Sequence, residues 1–324
     1  MSELERNQSA GADSGTPGEW ERNVLSRLVF ATLAEQRRAR RWNIFFKSLI
    51  FLFLFMSLLV YLPDSKRGIE TGEHTALVEI NGVIADATEA NADNIIGGLR
   101  DAFEDKNTAG IILRINSPGG SPVQSGYVHD EINRLRGKYP EIPVYAVVVD
   151  ICASGGYYIA SAADKIFADK ASLVGSIGVV MNGFGFVGAL DKLGIERRLI
   201  TAGKHKGFLD PFSPAKEEET KHVKTILDNI HKQFIEVVKK GRGERLSHDA
   251  DLFSGYIWTG EQGLALGLVD GLGSSGTVAR DEIGAERIVD FTRKPDYLDR
   301  FAKRLGSAMA NAFVSILGES GSIK

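Results

Sequence analysis

The chain of 324 residues contains a single cysteine, Cys152, which excludes an intramolecular disulfide and a zinc site built from several thiolates. It also lacks a basic surplus. Lys and Arg total 39 against 42 Asp and Glu, a net charge of -3, so nucleic acid is not an expected partner. No G-x-S-x-G, H-E-x-x-H or G-x-x-x-x-G-K-[ST] motif occurs, which removes the common hydrolase-elbow, zincin and P-loop signatures. The histidines, His74, His129, His205, His222, His231 and His248, have no metal-ligand spacing and read mostly as surface residues. Gly183, Gly185 and Gly188 spell G-x-G-x-x-G, but Phe184 and Phe186 fill the motif. A lysine cluster stands where a ribose-binding acid would be expected about 20 residues on, so no dinucleotide site is inferred. What remains is 43% hydrophobic and 25% charged, which fits a globular protein and not a disordered chain, a collagen repeat or a multi-span membrane protein. At roughly 150 residues per domain the length suggests about two domains, or one larger α/β unit.

The hydrophobic residues are unevenly spread. Ile44 to Leu62 (IFFKSLIFLFLFMSLLVYL) is interrupted only by Lys47, Ser48 and Ser57, and about 20 such residues span a bilayer core of roughly 30 Å. An all-round apolar helix in a soluble protein would need a core on every side. Arg37, Arg38, Arg40, Arg41 and Lys47 precede or open the run, against Lys66 and Arg67 after it, so the positive-inside rule keeps the N-terminus in the cytoplasm. The run starts too far into the chain for a signal peptide, and no small-x-small site follows it. The expected organisation is a cytoplasmic tail over 1–41, disordered over 1–22, an anchor over 42–62, a linker over 63–73, an exported globular unit over 74–292, and a C-terminal amphipathic helix and tail over 293–324. In that last segment Leu298, Phe301, Leu305, Met309, Phe313 and Ile316 fall at helical spacing.

From Thr75 onward, strand-like and helix-like segments alternate, the pattern of layered α/β packing. Strands are expected at Thr75–Ile80, Gly110–Ile115, Val144–Val149, Lys165–Ala168 and Glu196–Ile200. Helices are expected from Asn91, over Val123–Arg136, at Ala189–Leu193, and over Lys216–Lys240 with a stop at Gly241. The uninterrupted apolar run at Val144 suits a strand buried on both faces.

Three stretches can carry chemistry. In Ile151–Tyr158 (ICASGGYY), Ser154 sits between a buried strand and a small-residue helix, where free N–H groups favour developing negative charge. It would serve equally as a helix cap. Asn116–Pro122 (NSPGGSP) offers Gly119 and Gly120 as backbone donors for an oxyanion, although Ser-Pro-Gly-Gly is also good turn chemistry. Thr201–Pro214 (TAGKHKGFLDPFSP) sets Lys204, His205 and Lys206 among Phe208, Leu209 and Phe212. A lysine base must lose its proton near neutral pH, roughly 4 kcal/mol from its usual value near 10.4. Apolar neighbours and a second cation both work in that direction; the alternative is a solvated basic loop. In an extended conformation Lys204 and Lys206 would share one side.

Taken together, NSPGG after one strand, ASGGYYIASAADKI after a later one, SLVGSIGV, GKHKGFLDPFSP and GYIWTGEQGLALGLVDGLG resemble the signal peptide peptidase A family of membrane-anchored serine peptidases, over roughly Thr75 to Gly273. The resemblance implies a Clp protease/crotonase-like α/β fold and a Ser-Lys dyad, with Ser154 as nucleophile, Lys206 as base, Ser176 orienting the lysine, and Gly119 and Gly120 in the oxyanion loop. Lys204 is the nearest confusable lysine. It further implies no metal or other cofactor, substrates that are remnant signal peptides and other hydrophobic peptides, contact with membrane lipid, and a bacterial cell-membrane location with the catalytic unit outside the cytoplasm. Only one copy of each motif is present, so the short form of the family is implied, with about eight subunits needed to close a ring. Three other readings fit less well: a stomatin-associated peptidase, which would have a shorter Ser-to-Lys spacing; a crotonase-type acyl-CoA enzyme, which would have no reason for an export anchor; and a non-catalytic scaffold.

Overall fold

The structure is a computed structural model and describes residues 17–61 and 72–293. It divides into two units, one up to Glu70 and one from Thr71. The described residues of the first form a single helix, α1 (Pro17–Tyr61). No glycine or proline interrupts residues 19–61, and proline is favoured at a first helical position. The helix therefore begins inside the segment expected to be disordered, a correction to that expectation. Among the described residues no helix is long and apolar enough to cross a membrane. The apolar run reaches Leu62, which lies outside them, as do linker residues 63–71 and the expected C-terminal helix.

The second unit contains β1 (His74–Asn81), α2 (Ala92–Glu104), β2 (Thr108–Ser117), α3 (Pro122–Lys138), β3 (Val144–Ala153), α4 (Gly155–Ala160), β4 (Lys165–Ala168), β5 (Leu173–Gly175), α5 (Val187–Leu193), α6 (Glu217–Arg242), β6 (Ile257–Thr259), α7 (Gly260–Ala265), β7 (Gly271–Leu272), α8 (Ser275–Val278) and β8 (Ile288–Asp290). The sheet runs β6-β5-β3-β2-β1-β8, with β4 joining β3 to β7. Every pairing is parallel except β5 with β6. Parallel strands need crossover connections, and α2 and α3 supply them. Asn91 caps α2 by accepting from the Asn94 N–H, and Ser121 caps α3, with Pro122 opening it.

Alternation along β2 shows why the sheet is covered on both faces. Ile111, Leu113 and Ile115 enter the main core with Leu99, Phe103, Val128 and Ile132, while Ile112 points the other way against Val147, Phe167 and Val278. Successive side chains on a strand leave on opposite faces, so a strand buried on both faces must be apolar throughout.

Strand β3 changes partners along its length. Tyr145–Val147 pair with β4, whereas Ile151–Ala153 pair with β5. Ligands of parallel α/β sheets gather at the carboxyl ends of the strands, and here β2 ends at the NSPGG loop and β3 ends at Ser154.

Two further sequence expectations fail. Glu196–Ile200 is not a strand: it is exposed coil, and among the described residues no strand pairs with it, so water and not a ladder partner takes its backbone groups. Helix α6 does not stop at Gly241. It continues to Arg242 and is closed by Gly243 at φ 57°. Gly241 is needed inside the helix because a Cβ there would lie 2.0 Å from the Ser161 carbonyl oxygen. The one extra turn position buries Arg242, whose guanidinium binds Asp270 at 2.6 and 2.9 Å and the Gly267 carbonyl.

Candidate active site

The loop after β2 lies directly on the turn after β3. A Cβ on Gly119, at φ 103°, would stand 2.7 Å from the Gly155 nitrogen and 2.7 Å from the Ser154 Cβ. Glycine is required at that contact. Gly120 is held from the other side, where a Cβ would lie 2.1 Å from the Ile84 carbonyl oxygen. Ile84 and Gly120 form a parallel bridge: the Ile84 N–H donates to Gly119 at 2.9 Å, and the Ser121 N–H donates to Ile84 at 2.7 Å. In a parallel bridge those bonds go to the neighbours of the bridged residue. The Gly120 N–H therefore turns away from Ile84, and it has no partner among the described residues.

Ser154 adopts φ 51°, ψ −121° and makes no side-chain capping bond, which removes the reading of it as a helix cap. A non-glycine residue in such backbone geometry is strained, and strain of this kind clusters at functional sites. The turn is held by the Ser154 N–H donating to the Gly175 carbonyl at 2.8 Å. The next N–H, that of Gly155, opens α4 and has no intrahelical acceptor. Ser176, also at φ 51°, is fixed through its N–H to the Tyr256 carbonyl at 2.7 Å. Strand β5 and Tyr256, the residue just before β6, thus hold both serines.

A cavity of about 730 Å³ opens over these groups, lined by Ser154, Gly155, Gly120 and Ser176, with Gly178 to Val180 on one wall. Helix α6 lends Ile230, His231 and Phe234, and the Ser254–Gly255 turn closes another side. His231 Nε2 bonds the Ile177 carbonyl at 3.0 Å, tying α6 to the segment after Ser176. Sequence reasoning missed His231, Tyr158 and Ser254. The helical spacing of Ile230 and Phe234 on α6 marks an apolar face, but nothing local shows that this face borders a cavity.

The structure brings together Ser154, Ser176, Gly119 and Gly120. Of the two glycines expected to donate, Gly120 has its N–H free, whereas that of Gly119 goes to Ser117 Oγ at 3.1 Å. Gly155 takes its place as the second unengaged N–H. Lys206 is exposed and is not among the residues lining the cavity. Its segment is not extended but turned, with the Lys206 N–H donating to Gly203 and the Phe208 N–H to His205, both at 3.1 Å. Lys204 faces Glu218 at 3.4 Å. Cys152, two residues before Ser154, is fully buried, and burial pushes its thiol well above the usual range. It is no nucleophile, since the thiolate is the reactive form.

Of the other histidines, His205, His222 and His248 are exposed, as expected, and two depart from expectation. His74 and His129 are buried, His74 stacking on Phe291. The glycines of the G-x-G-x-x-G spelling have open space where a Cβ would be, so none makes the close approach that motif requires.

A strained serine beneath a glycine loop, with two unengaged backbone N–H groups beside it, is the arrangement of a serine hydrolase built on a layered α/β scaffold. Peptidase family S49 matches the chain over residues 137–284. A Na(+)/H(+) antiporter NhaA of Brucella melitensis biotype 1 is 41% identical over 228 residues, covering 69% of this chain and 31% of that protein. A candidate signal peptide peptidase SppA of Enterococcus faecium is 35% identical over 206 residues, 61% of this chain and 59% of that one. A candidate protease of Synechocystis sp. is 33% identical over 204 residues, 63% of this chain and 71% of that one. The chain belongs to peptidase family S49, the family of SppA-type serine peptidases, and its mixed α/β sheet fits the Clp protease-like fold. It spans about a third of the antiporter-named relative and about three fifths of the Enterococcus one.

Proposed function

We propose that the protein is a membrane-anchored serine endopeptidase that degrades remnant signal peptides and other hydrophobic peptides with a Ser154–Lys206 dyad. The observation that carries this reading is the contact of the Gly119–Gly120 loop with the strained Ser154 turn over one cavity. In the reaction, the neutral Lys206 amine takes the Ser154 Oγ proton and the oxygen attacks the peptide carbonyl carbon. The carbonyl electron pair moves to oxygen, where the Gly120 and Gly155 N–H groups receive it. Collapse breaks the C–N bond, and Lys206 returns its proton to the departing amine. Water, giving a proton to Lys206, then adds to the ester carbonyl; collapse breaks the C–Oγ bond, and Lys206 returns that proton to Ser154 Oγ as the acid departs. Ser176 orients the lysine. The chemistry asks for no metal or other cofactor.

A lysine base also needs burial, which Lys206 does not receive within one subunit. A neighbouring copy supplies it in this reading: the assembly is a homo-oligomer, of about eight subunits by family resemblance, in which the loop carrying Lys206 reaches an adjoining cavity. The exposed Val180, Phe184 and Ile200 support such contacts, since large apolar surface marks association. The apolar run from Ile44 to Leu62 and the flanking arginines support anchoring in a bacterial cell membrane, N-terminus inside and catalytic unit outside. A tethered site meets membrane-held peptide at raised effective concentration.

The reading is tested by turnover of a short apolar peptide ester by Ser154→Ala and Lys206→Ala variants, together with intact mass after a serine-directed phosphonate. Turnover is expected to vanish in both, with the adduct on Ser154. Wild-type turnover in either variant overturns the dyad.

A further inference from the structure

Ser125, on α3, is fully buried, and its Oγ has no hydrogen-bond partner. Most buried polar atoms are paired, and an orphan calls for an explanation. Its position supplies one. The Cβ that Gly155 lacks would stand 2.5 Å from Ser125 Oγ and 3.2 Å from the Gly120 nitrogen. The hydroxyl, the Gly120 amide and the bare face of Gly155 therefore surround the same spot, behind the cavity rather than in it. Ser125 is also fixed to the loop it faces. Its N–H donates to the Ser121 carbonyl at 3.1 Å, and the Ser121 N–H donates to the Ile84 carbonyl that orients Gly120.

We propose that Ser125 is a positioning residue whose hydroxyl, seated on the Cβ-less face of Gly155, sets the spacing and direction of the Gly120 and Gly155 N–H groups. Alanine would leave a gap at the point where the glycine loop and the nucleophile turn meet. The two amides would then lose the fixed aim on which oxyanion stabilisation depends, because preorganised donors act only at the right distance. The inference rests on the reading of Ser154 as nucleophile.

The test compares wild type with Ser125→Ala for kcat and KM on the peptide ester, affinity for a peptide boronate that forms a tetrahedral adduct, and thermal unfolding midpoint. Expected are a fall of about tenfold to a hundredfold in kcat and in boronate affinity, an unchanged KM, and a midpoint equal to wild type or higher, since deleting an orphan hydroxyl removes a desolvation penalty. Wild-type kcat and boronate affinity in Ser125→Ala overturn the proposal. So does a loss that tracks a lowered midpoint, which is the mark of a merely structural role. Ser154→Ala run alongside separates the two readings: if it still turns over ester, the nucleophile assignment has failed, and if it is dead while Ser125→Ala is fully active, only the Ser125 assignment has.

Discussion

Single residues decide whether the site can form. Ser154 accepts unfavourable backbone geometry, and Gly119 and Gly120 let another strand of backbone come within contact distance. The two glycines are not equivalent. At Gly119 an added Cβ meets the Ser154 turn itself, whereas at Gly120 it meets the Ile84 carbonyl, a backbone group that cannot swing aside. Gly120→Ala is expected to lower stability by about 1–3 kcal/mol, the usual penalty for overpacking, and to abolish ester turnover by shifting the Gly120 amide. Urea unfolding with parallel kinetics checks this; a variant that is fully stable and active would mean that the loop relaxes freely. At this scale the sequence is informative where a residue type is constrained by chemistry, as with Ser154 flanked by small residues. It is silent on Ser125 and His231, since an ordinary serine and histidine on helices acquire meaning only from what the tertiary fold sets opposite them.

Elements carry these residues, and the joints between elements are electrostatic as well as apolar. Glu131 on α3 accepts from Arg100 of α2 at 2.6 Å and from Arg134 of its own helix at 2.7 and 2.8 Å. Hydrogen bonding to Arg134, then to Arg100, holds its carboxyl down to about 2 against the opposing effect of burial. The folded value lies below the unfolded one, so the unfolded state binds more protons between them. The stabilisation is complete above about pH 4.5 and is lost as pH falls towards 2. Glu131→Gln is expected to be less stable than wild type at pH 7, with the difference shrinking below about pH 4.5 in urea titrations. A difference that stays constant to pH 3 would contradict the assignment.

The strands β1 to β3 and the start of α2 near Asn91 are legible in the sequence because short apolar runs between turn residues and helical spacing are local signals. The end of α6 is not, since Gly241 resembles a terminator and its actual role is to admit the Ser161 carbonyl. Nor is the fate of Glu196–Ile200, because a strand exists only where another strand receives it.

At the scale of the whole molecule, one subunit places Ser154, Ser176 and the glycine loop together and leaves Lys206 on the outside. If neighbouring copies complete each site, two individually inactive variants should rescue one another. Mixing Ser154→Ala with Lys206→Ala, after unfolding and refolding together in detergent, is expected to restore a measurable fraction of ester turnover, because some cavities then combine an intact serine with an intact lysine. Persistent inactivity of the mixture, with assembly shown by light scattering, would place both members of the proposed dyad in the same chain.

The Ser154 turn hangs on the three residues of β5, which in turn are closed on their free side by three residues of β6. Short peripheral pairings open more readily than the long central strands β1 to β3, so a protein can lose a rim while its centre stays folded. Release of Gly175 would free the Ser154 amide and relax its strained geometry, with the change confined to β5, β6 and the Ile151–Ala153 end of β3. The enzyme should accordingly have two thresholds. Mild heating or denaturant is expected to bring rapid amide exchange to β5 and β6 and a reversible loss of turnover, while β2 and β3 stay protected until global unfolding.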